Sequence, residues 1–182
     1  MLEGEPVPAN ANVVSSFEPQ TAVIRKDKLG HPVEFGRVVW LDEVEGELVS
    51  RYAVLVGNPD DAEQLRPVLD HHVQCFGHTP HLLTGDRKGY SREGEDYARD
   101  QGVRQVVLPQ AGRRSPERVT HEEQGWFRRG RRWRAGIEGR ISVLKRRHQL
   151  VRCHNRRPEG MERWVGWGVI THNLLRIAAA MA

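Results

Sequence analysis

The sequence predicts an α/β domain in which a mixed β-sheet is flanked by helices and is followed by a basic C-terminal helical region. Short apolar runs typical of buried strands alternate with stretches that have the apolar spacing of helices. The length of 182 residues suits one domain with a core of its own. A hydrophobic content of 38% beside 29% charged residues is typical of a globular protein rather than a disordered one.

The domain is expected to cover residues 13–182. Residues 1–12 contain two prolines and two asparagines, and they are predicted to be an irregular lead-in. They lack the basic and then apolar order of a signal peptide, and no apolar run in the chain is long enough to span a membrane. Two distant cysteines are expected to be reduced thiols, so the sequence predicts a cytoplasmic protein.

Three antiparallel strands are predicted in the first third of the chain. Val13–Phe17 is a short apolar run with the character of a strand. Arg37–Leu41 and Val49–Val56 lie on either side of a turn at residues 45–47, which is typical of a hairpin.

Helices and strands alternate in the rest of the chain. The acidic start at Asp60 and Asp61 is typical of a helix N-terminus, Ser91 is predicted to cap a second helix, and Gly102 is predicted to end it. In chain order the predicted elements are a helix over 62–76, a strand at 81–86, a helix from Ser91 to about Gln101, a strand at 103–109, a helix from about Gly125 to Gln149 and a C-terminal helix.

Basic residues are concentrated in one region, between Arg113 and Arg157. This region has 15 basic and four acidic residues, a net charge of +11, whereas the remainder has 13 basic and 20 acidic residues, a net charge of −7. Trp126, Phe127 and Trp133 are interleaved with the arginines, so we expect the region to bind a nucleic acid. The alternative is an ordinary solvated basic face.

One stripe of a predicted helix joins Arg134, Glu138, Ile141 and Lys145. These residues are four, three and four positions apart, so they stack on one side of a helix. Trp133, Ile137 and Leu144 lie beside the stripe and are expected to form its buried flank. The stripe is consistent either with a carboxylate that points into a cleft or with ordinary ion pairs on a helix surface.

Asp86 is the second candidate carboxylate. It ends the apolar run HLLTGD, and an acid at the carboxyl end of a buried strand is a common place for a catalytic or metal-binding group in α/β proteins. The alternative is a turn or capping aspartate.

The sequence resembles the bacterial DDE insertion-sequence transposases, in particular the insertion-sequence-four-like groups and those labelled ISNCY. The resemblance covers nearly the whole chain and rests on SSFEPQTAVIRK, EFGRVVWLDEVEG, LLTGDRKGYS, WFRRGRRWRAGIEGRISVLKRRHQL and MERWVGWGVITHNL. In the family signature Y-x-x-R-x-x-x-E-x-x-x-x-x-x-K, Arg134, Glu138 and Lys145 match, while Arg131 stands at the tyrosine position.

The resemblance implies a fold, a reaction and a set of site residues. The implied fold is RNase H-like, with Asp86 and Glu138 as the second and third catalytic acids and metal ligands. For the first acid we favour Glu18, at the end of the first predicted strand, over Asp42 on the second. The implied cofactor is Mg²⁺, in a two-metal reaction of phosphodiester hydrolysis and strand transfer.

The implied partner is DNA, at transposon ends and at a target. The residues expected to contact its phosphates are all basic: Arg128, Arg129, Arg131, Arg132, Arg134 and Lys145. Members of the family are longer and carry an N-terminal DNA-binding region, so we expect an N-terminally truncated catalytic fragment. A homodimer is allowed for, with no interface residues assigned. The alternatives are a non-catalytic DNA-binding remnant and a nuclease of the same fold.

Overall fold

A computed structural model describes residues 15, 21–25 and 33–182 of the chain. Within these residues the chain is a mixed α/β structure with six short strands and five α-helices. The predicted lead-in, Glu18 and four of the five residues of the predicted strand Val13–Phe17 lie outside the described residues.

The elements follow one another in an order close to the predicted one. The strands are β1 (Ala22–Arg25), β2 (Val33–Gly36), β3 (Val39–Val44), β4 (Leu48–Val54), β5 (Leu82–Thr84) and β6 (Gln105–Val107). The α-helices are α1 (Leu65–Phe76), α2 (Arg92–Asp100), α3 (Pro116–Glu123), α4 (Gly125–Arg147) and α5 (Pro158–Met181). No helix in the described part of the chain is long and apolar enough to cross a membrane.

The strands pair two by two and are not joined into the single mixed sheet that we predicted. In the described residues, β1 pairs with β2 and β3 with β4 in antiparallel fashion, and β5 pairs with β6 in parallel. The reason lies in the packing: the β3–β4 pair packs on α5, while the β5–β6 pair packs on α4. The β3–β4 and β5–β6 pairs therefore cover different helices instead of extending one sheet.

The predicted hairpin is confirmed as β3–β4. Its turn is a short 3₁₀ helix, Glu45–Glu47, in which Gly46 has a φ of 79° and Glu47 a φ of 63°. Glycine adopts this left-handed region at little cost, so Gly46 permits the tight reversal. The register shifts between Asp42 and Glu43, which marks a β-bulge.

The predicted helix boundaries are confirmed by their capping contacts. The Asp60 carboxylate accepts a hydrogen bond from the Ala62 N–H at 3.1 Å, at the start of a 3₁₀ turn that leads into α1. The Ser91 hydroxyl accepts one from the Gly94 N–H at 3.0 Å and caps α2. Gly102, with a φ of 93°, follows the end of α2.

Two apolar cores share one long helix. The first core joins α1, α2 and β6, and its buried side chains are Leu65, Leu69, Ala98, Val103, Val106 and Leu108. The second joins the β3–β4 hairpin, α5 and the C-terminal half of α4, and its buried side chains are Val49, Leu144, Val165 and Val169. Because α4 also contacts β5 and β6 through its N-terminal half, it connects the two cores.

Replacing Gly130 by alanine is expected to destabilise the fold by about 1–3 kcal/mol. An added Cβ at this position would lie 2.7 Å from Cγ2 and 3.2 Å from Cβ of Val107, so α4 could no longer pack as closely on β6. The free energy of unfolding in urea measures the effect.

Gly139 on the same helix provides the matched control. An added Cβ there meets no atom within 4 Å, so Gly139→Ala should stabilise α4 by about 0.5–1 kcal/mol through helix propensity alone. Equal effects of the two substitutions would contradict close packing of α4 on β6.

Candidate active site

Asp86 lies two residues beyond the end of β5, as the sequence predicts. The preceding Gly85 N–H donates to the Val107 carbonyl at 3.2 Å, so the chain is still held against β6 when it reaches the aspartate. One carboxylate oxygen, Oδ1, accepts a hydrogen bond from the Lys88 N–H at 2.6 Å and fixes the following turn. The other oxygen, Oδ2, is directed to α4.

A single guanidinium group links Asp86 to Glu138. Arg134 Nη2 lies 3.5 Å from Asp86 Oδ2, and Nη1 of the same side chain lies 3.3 Å from Glu138 Oε1. The two acids belong to different elements and are 52 positions apart in sequence. The structure therefore brings both of them to one place, separated by no more than one guanidinium group.

These two ion pairs are partly exposed to solvent. The exposed fractions of the side chains are 31% for Arg134, 41% for Asp86 and 72% for Glu138. Pairs with this exposure contribute little to stability, because solvent screens them. Neither ion pair is therefore required to hold the fold together.

Asp61 is an acid that the sequence analysis missed and whose charge interacts with that of Asp86. Burial raises the pKa of Asp61, and repulsion from the Asp86 carboxylate raises it further, while Lys88 and Arg134 act in the opposite direction. The Asp61 carboxylate is therefore close enough to Asp86 for their charges to interact. The signal in the sequence was the adjacent pair of acids: Asp60 alone caps the helix, so a second acid at this position is not needed for capping.

Asp42, the other candidate for the first acid, is held within the β3–β4 hairpin. Its carboxylate accepts a hydrogen bond from Trp40 Nε1 at 2.6 Å and pairs with Arg51 Nη1 at 3.1 Å, with 13% of the side chain exposed. Burial raises the pKa of Asp42, although Arg51 and Trp40 lower it. These contacts are those of a structural pair between neighbouring strands.

The α4 arginines form two groups with different surroundings. Arg140 is engaged by acids, with Nε 3.4 Å from Glu43 Oε1 and Nη2 2.5 Å from Glu47 Oε1. A second group near the start of the helix is exposed and pairs with no acid of the described residues: Arg128, Arg129, Arg131 and Arg132. These four side chains are free to meet an anion.

The aromatic residues of the basic region do not share one role. Phe127 is completely buried, so it belongs to the protein interior and cannot stack on a base. Trp126 contacts the His121 ring at a centroid distance of 5.3 Å. Trp133 is 43% exposed, so the expectation that it lies on a buried flank is wrong, whereas Leu144 on that flank is buried as expected.

Lys145 lies two turns after Glu138 on the same stripe of α4. It is exposed and borders a shallow depression at the C-terminal end of the helix. The other polar residues around this depression are basic or neutral: Arg146, Gln149, Arg152 and His154. The stripe thus leads from the two acids to a second positive surface.

The oxygen donors at the site fit Mg²⁺ in type, since carboxylates are the protein ligands that this ion prefers. Asp86 and Glu138 would hold the ion, and Asp61 is a further acid whose charge interacts with that of Asp86. In the described residues, however, no three His, Cys, Asp or Glu side chains are grouped closely enough to bind a metal ion. Arg134 lies between the two carboxylates and supplies the positive charge there.

Comparisons of the chain with the known protein families, with curated proteins and with solved structures gave no match.

Proposed function

We propose that the chain is the catalytic part of a DDE-type DNA transposase, with an RNase H-like core, that cleaves and joins DNA strands in the cytoplasm. The observation that carries the proposal is the convergence of Asp86 and Glu138 on the Arg134 guanidinium. These are the same two acids to which the resemblance of the sequence gives catalytic roles. Their positions, at a strand end and in the middle of a long helix, agree with those roles.

The acids and the arginine have distinct tasks in this proposal. Asp86 and Glu138 hold Mg²⁺, with Asp61 or Glu18 as the third acid. When bound, the metal would activate the attacking hydroxyl and stabilise the leaving oxygen. Arg134 then exchanges its carboxylate partners for a phosphate of the substrate, which a guanidinium binds through two parallel hydrogen bonds.

The DNA is proposed to lie along the outer face of α4. The four exposed arginines near the start of the helix and Lys145 near its end supply positive charge on both sides of Glu138. Gly136 and Gly139 lie on another side of α4, where an added Cβ would meet no atom within 4 Å.

Replacing Arg128, Arg129, Arg131 and Arg132 together by alanine is expected to reduce the salt dependence of DNA binding. Each lost phosphate contact reduces the slope of log K against log salt concentration by about 0.9, so the slope should fall by up to about 3–4. Fluorescence anisotropy with a labelled duplex, measured over a range of salt concentrations, gives the slope.

The control variant carries the same loss of charge at exposed positions away from α4. It replaces Arg66, Arg92, Arg104 and Arg163 by alanine. Its slope should stay close to that of the unchanged chain. A quadruple α4 variant with an unchanged slope would mean that this arginine cluster is only a solvated face.

A non-catalytic DNA-binding remnant is the second candidate function. It is favoured by the absence of a three-ligand metal group among the described residues. A test with supercoiled plasmid and a 3′-hydroxyl oligonucleotide in Mg²⁺ separates the candidates. Transposase activity nicks the plasmid and joins the oligonucleotide to it, a nuclease only nicks, and a remnant binds DNA without cutting it. The last outcome would overturn the catalytic proposal.

A further inference from the structure

A shallow depression at the C-terminal end of α4 is bordered by basic side chains from two segments of the chain. The residues around it are Lys145, Arg146, Gln149, Val151, Arg152 and His154. Four of the six are basic and none is acidic. Among the described residues, no acid forms an ion pair with any of these four, and Arg146 donates its side-chain hydrogen bond to the neutral Ser142 hydroxyl. We call this surface the basic depression.

The dipole of α4 accounts for only part of this positive charge. The C-terminal end of a helix carries a partial negative charge, which attracts cations such as Lys145 and Arg146 in the last turn. Arg152 lies beyond the end of α4, so its position beside these two residues needs another explanation. Cations that are gathered without an acid repel one another, and an anion bound between them would lower that repulsion.

The segment that carries Arg152 is fixed to α5 on both sides. Leu150 packs against Gly168, where an added Cβ would lie 2.8 Å from Leu150 Cδ1. Asn155 Nδ2 donates a hydrogen bond to the Gly160 carbonyl at 3.3 Å, and an added Cβ at Gly160 would lie 3.0 Å from Asn155 Cβ. The residues between these two contacts are therefore held beside the end of α4 before any ligand binds, which lowers the entropic cost of binding.

Gln149 has a backbone conformation that usually favours glycine. Its φ is 57°, and the following Leu150 N–H donates to the Leu144 carbonyl at 3.1 Å, a hydrogen bond that ends many helices after a left-handed residue. Glycine would adopt this conformation at a lower cost. Backbone strain of this kind is common where a side chain is used in binding, and the Gln149 side chain borders the basic depression.

We propose that the basic depression binds a phosphate group. Its guanidinium, ammonium and amide groups offer more hydrogen-bond donors than the two oxygens of a carboxylate can use, whereas a phosphate group has three strong acceptor oxygens. Because the basic depression is shallow, a phosphate within a nucleic-acid backbone can reach it as well as a free phosphate ion. The proposal does not depend on DNA cleavage, and only Lys145 belongs both to this site and to the proposed DNA-binding set.

The melting temperature in inorganic phosphate, compared with that in chloride of equal ionic strength, tests the site. Phosphate should raise the melting temperature of the unchanged chain, because a ligand of the folded state stabilises it. The double variant Arg146→Ala/Arg152→Ala should lose most of this increase. Arg104→Ala/Arg163→Ala is the matched control: it removes the same charge at exposed positions outside the basic depression and should keep the increase.

Gln149→Gly separates binding from stability. In chloride this variant should melt about 2–4 °C higher than the unchanged chain, because glycine relieves the strain of the left-handed conformation. The additional increase in phosphate should be smaller than in the unchanged chain, because the amide group is lost. An unchanged phosphate effect in this variant would contradict the role of Gln149 in the site.

Anisotropy with a labelled DNA duplex identifies the source of the phosphate. If the DNA backbone occupies the basic depression, Arg146→Ala/Arg152→Ala should reduce the slope of log K against log salt concentration by up to about 1.8, while the control should not change it. A lost phosphate effect with an unchanged slope would support the site with free phosphate as its ligand. An unchanged slope, together with an equal phosphate effect on the melting temperature of all three chains, would overturn the proposal, because phosphate then acts only through its general effect on protein stability.

Discussion

Asp86→Asn and Glu138→Gln are each expected to lower the rate of Mg²⁺-dependent DNA nicking by more than about 100-fold. Replacing a residue that hydrogen-bonds to a metal ligand already lowers metal affinity or activity about 10- to 100-fold. Replacing a ligand itself should lower the activity more. DNA binding should be retained, because the exposed arginines of α4 remain in place and each substitution removes negative charge. Nicking of supercoiled plasmid and anisotropy with a labelled duplex measure the two effects separately.

Glu162→Gln is the control for this experiment. Glu162 is an exposed acid on α5, so its variant has the same change of charge but should nick DNA at the rate of the unchanged chain. Full activity of the Asp86 and Glu138 variants would remove both acids from the mechanism. The same assay on Asp61→Asn and Glu18→Gln identifies the third acid, since only the substitution of a ligand should act as strongly as the first two.

Arg118→Met is expected to lower the free energy of unfolding by about 3–5 kcal/mol, because it removes the one guanidinium group that both buried acids, Glu95 and Glu122, share. Arg118 Nη1 lies 2.6 Å from Glu95 Oε2, and its Nε lies 3.0 Å from Glu122 Oε1. The exposed fractions of these side chains are 12%, 4% and 3%, so water cannot replace the lost guanidinium. Urea unfolding measures the loss.

Arg92→Met is the matched control for the Arg118 substitution. Arg92 also pairs with an acid of its own helix, Asp96, but at 4.0 Å and with 89% of its side chain exposed. Its replacement should change the free energy of unfolding by less than about 0.5 kcal/mol. Similar losses in the two variants would show that the Arg118 cluster is no more important than a surface ion pair.

The same cluster should make the fold sensitive to acid. Burial alone would raise the pKa of Glu122, but hydrogen bonds from the Gln110 N–H and from the Arg118 and Arg114 guanidinium groups hold it below its usual value of 4.5. Its contribution to stability is thus present above pH 4.5 and is lost as the pH falls below that value. The pKa of His121 is lowered from 6.5 by burial and by Arg118, so its contribution is likewise lost as the pH falls below 6.5. Thermal melting between pH 7 and pH 4 should follow both steps.

The parts of the fold that depend on neighbouring residues could be predicted from the sequence. The Glu45–Glu47 turn, the Ser91 cap and the Gly102 stop are set by the conformational preferences of a few adjacent residues. The pairing of β5 with β6 could not be predicted in the same way, because each strand has only three residues and is defined by the helices packed around it. The division into three small sheets results from contacts between strands and helices that are distant in sequence. No periodic pattern in the sequence indicates these contacts.

The features of the candidate site that depend on local spacing, or on the resemblance to a family, could be predicted from the sequence. Arg134 and Glu138 are one helical turn apart, so their pairing could be expected from the sequence. The approach of Asp86 to Arg134 depends on how α4 crosses the end of β5, which spacing does not reveal. Asp61 was missed because both Asp60 and Asp61 were interpreted as the acidic start of a helix. In the structure Asp60 accepts the capping hydrogen bond, whereas the charge of Asp61 interacts with that of Asp86.

Helix α4 contacts the elements of both cores, so each core and α4 together form one unit of packed elements, and the two units have α4 in common. Its N-terminal half packs on β6 through Gly130, and its C-terminal half is anchored by Leu144 in the core that contains α5. The turns between these anchors carry Arg134, which pairs with Asp86 beyond β5, and Arg140, which pairs with Glu43 and Glu47 of the hairpin. The distance between the Asp86 and Glu138 carboxylates therefore depends on how this segment of α4 lies between β5 and the hairpin, and a bend of α4 there would change it.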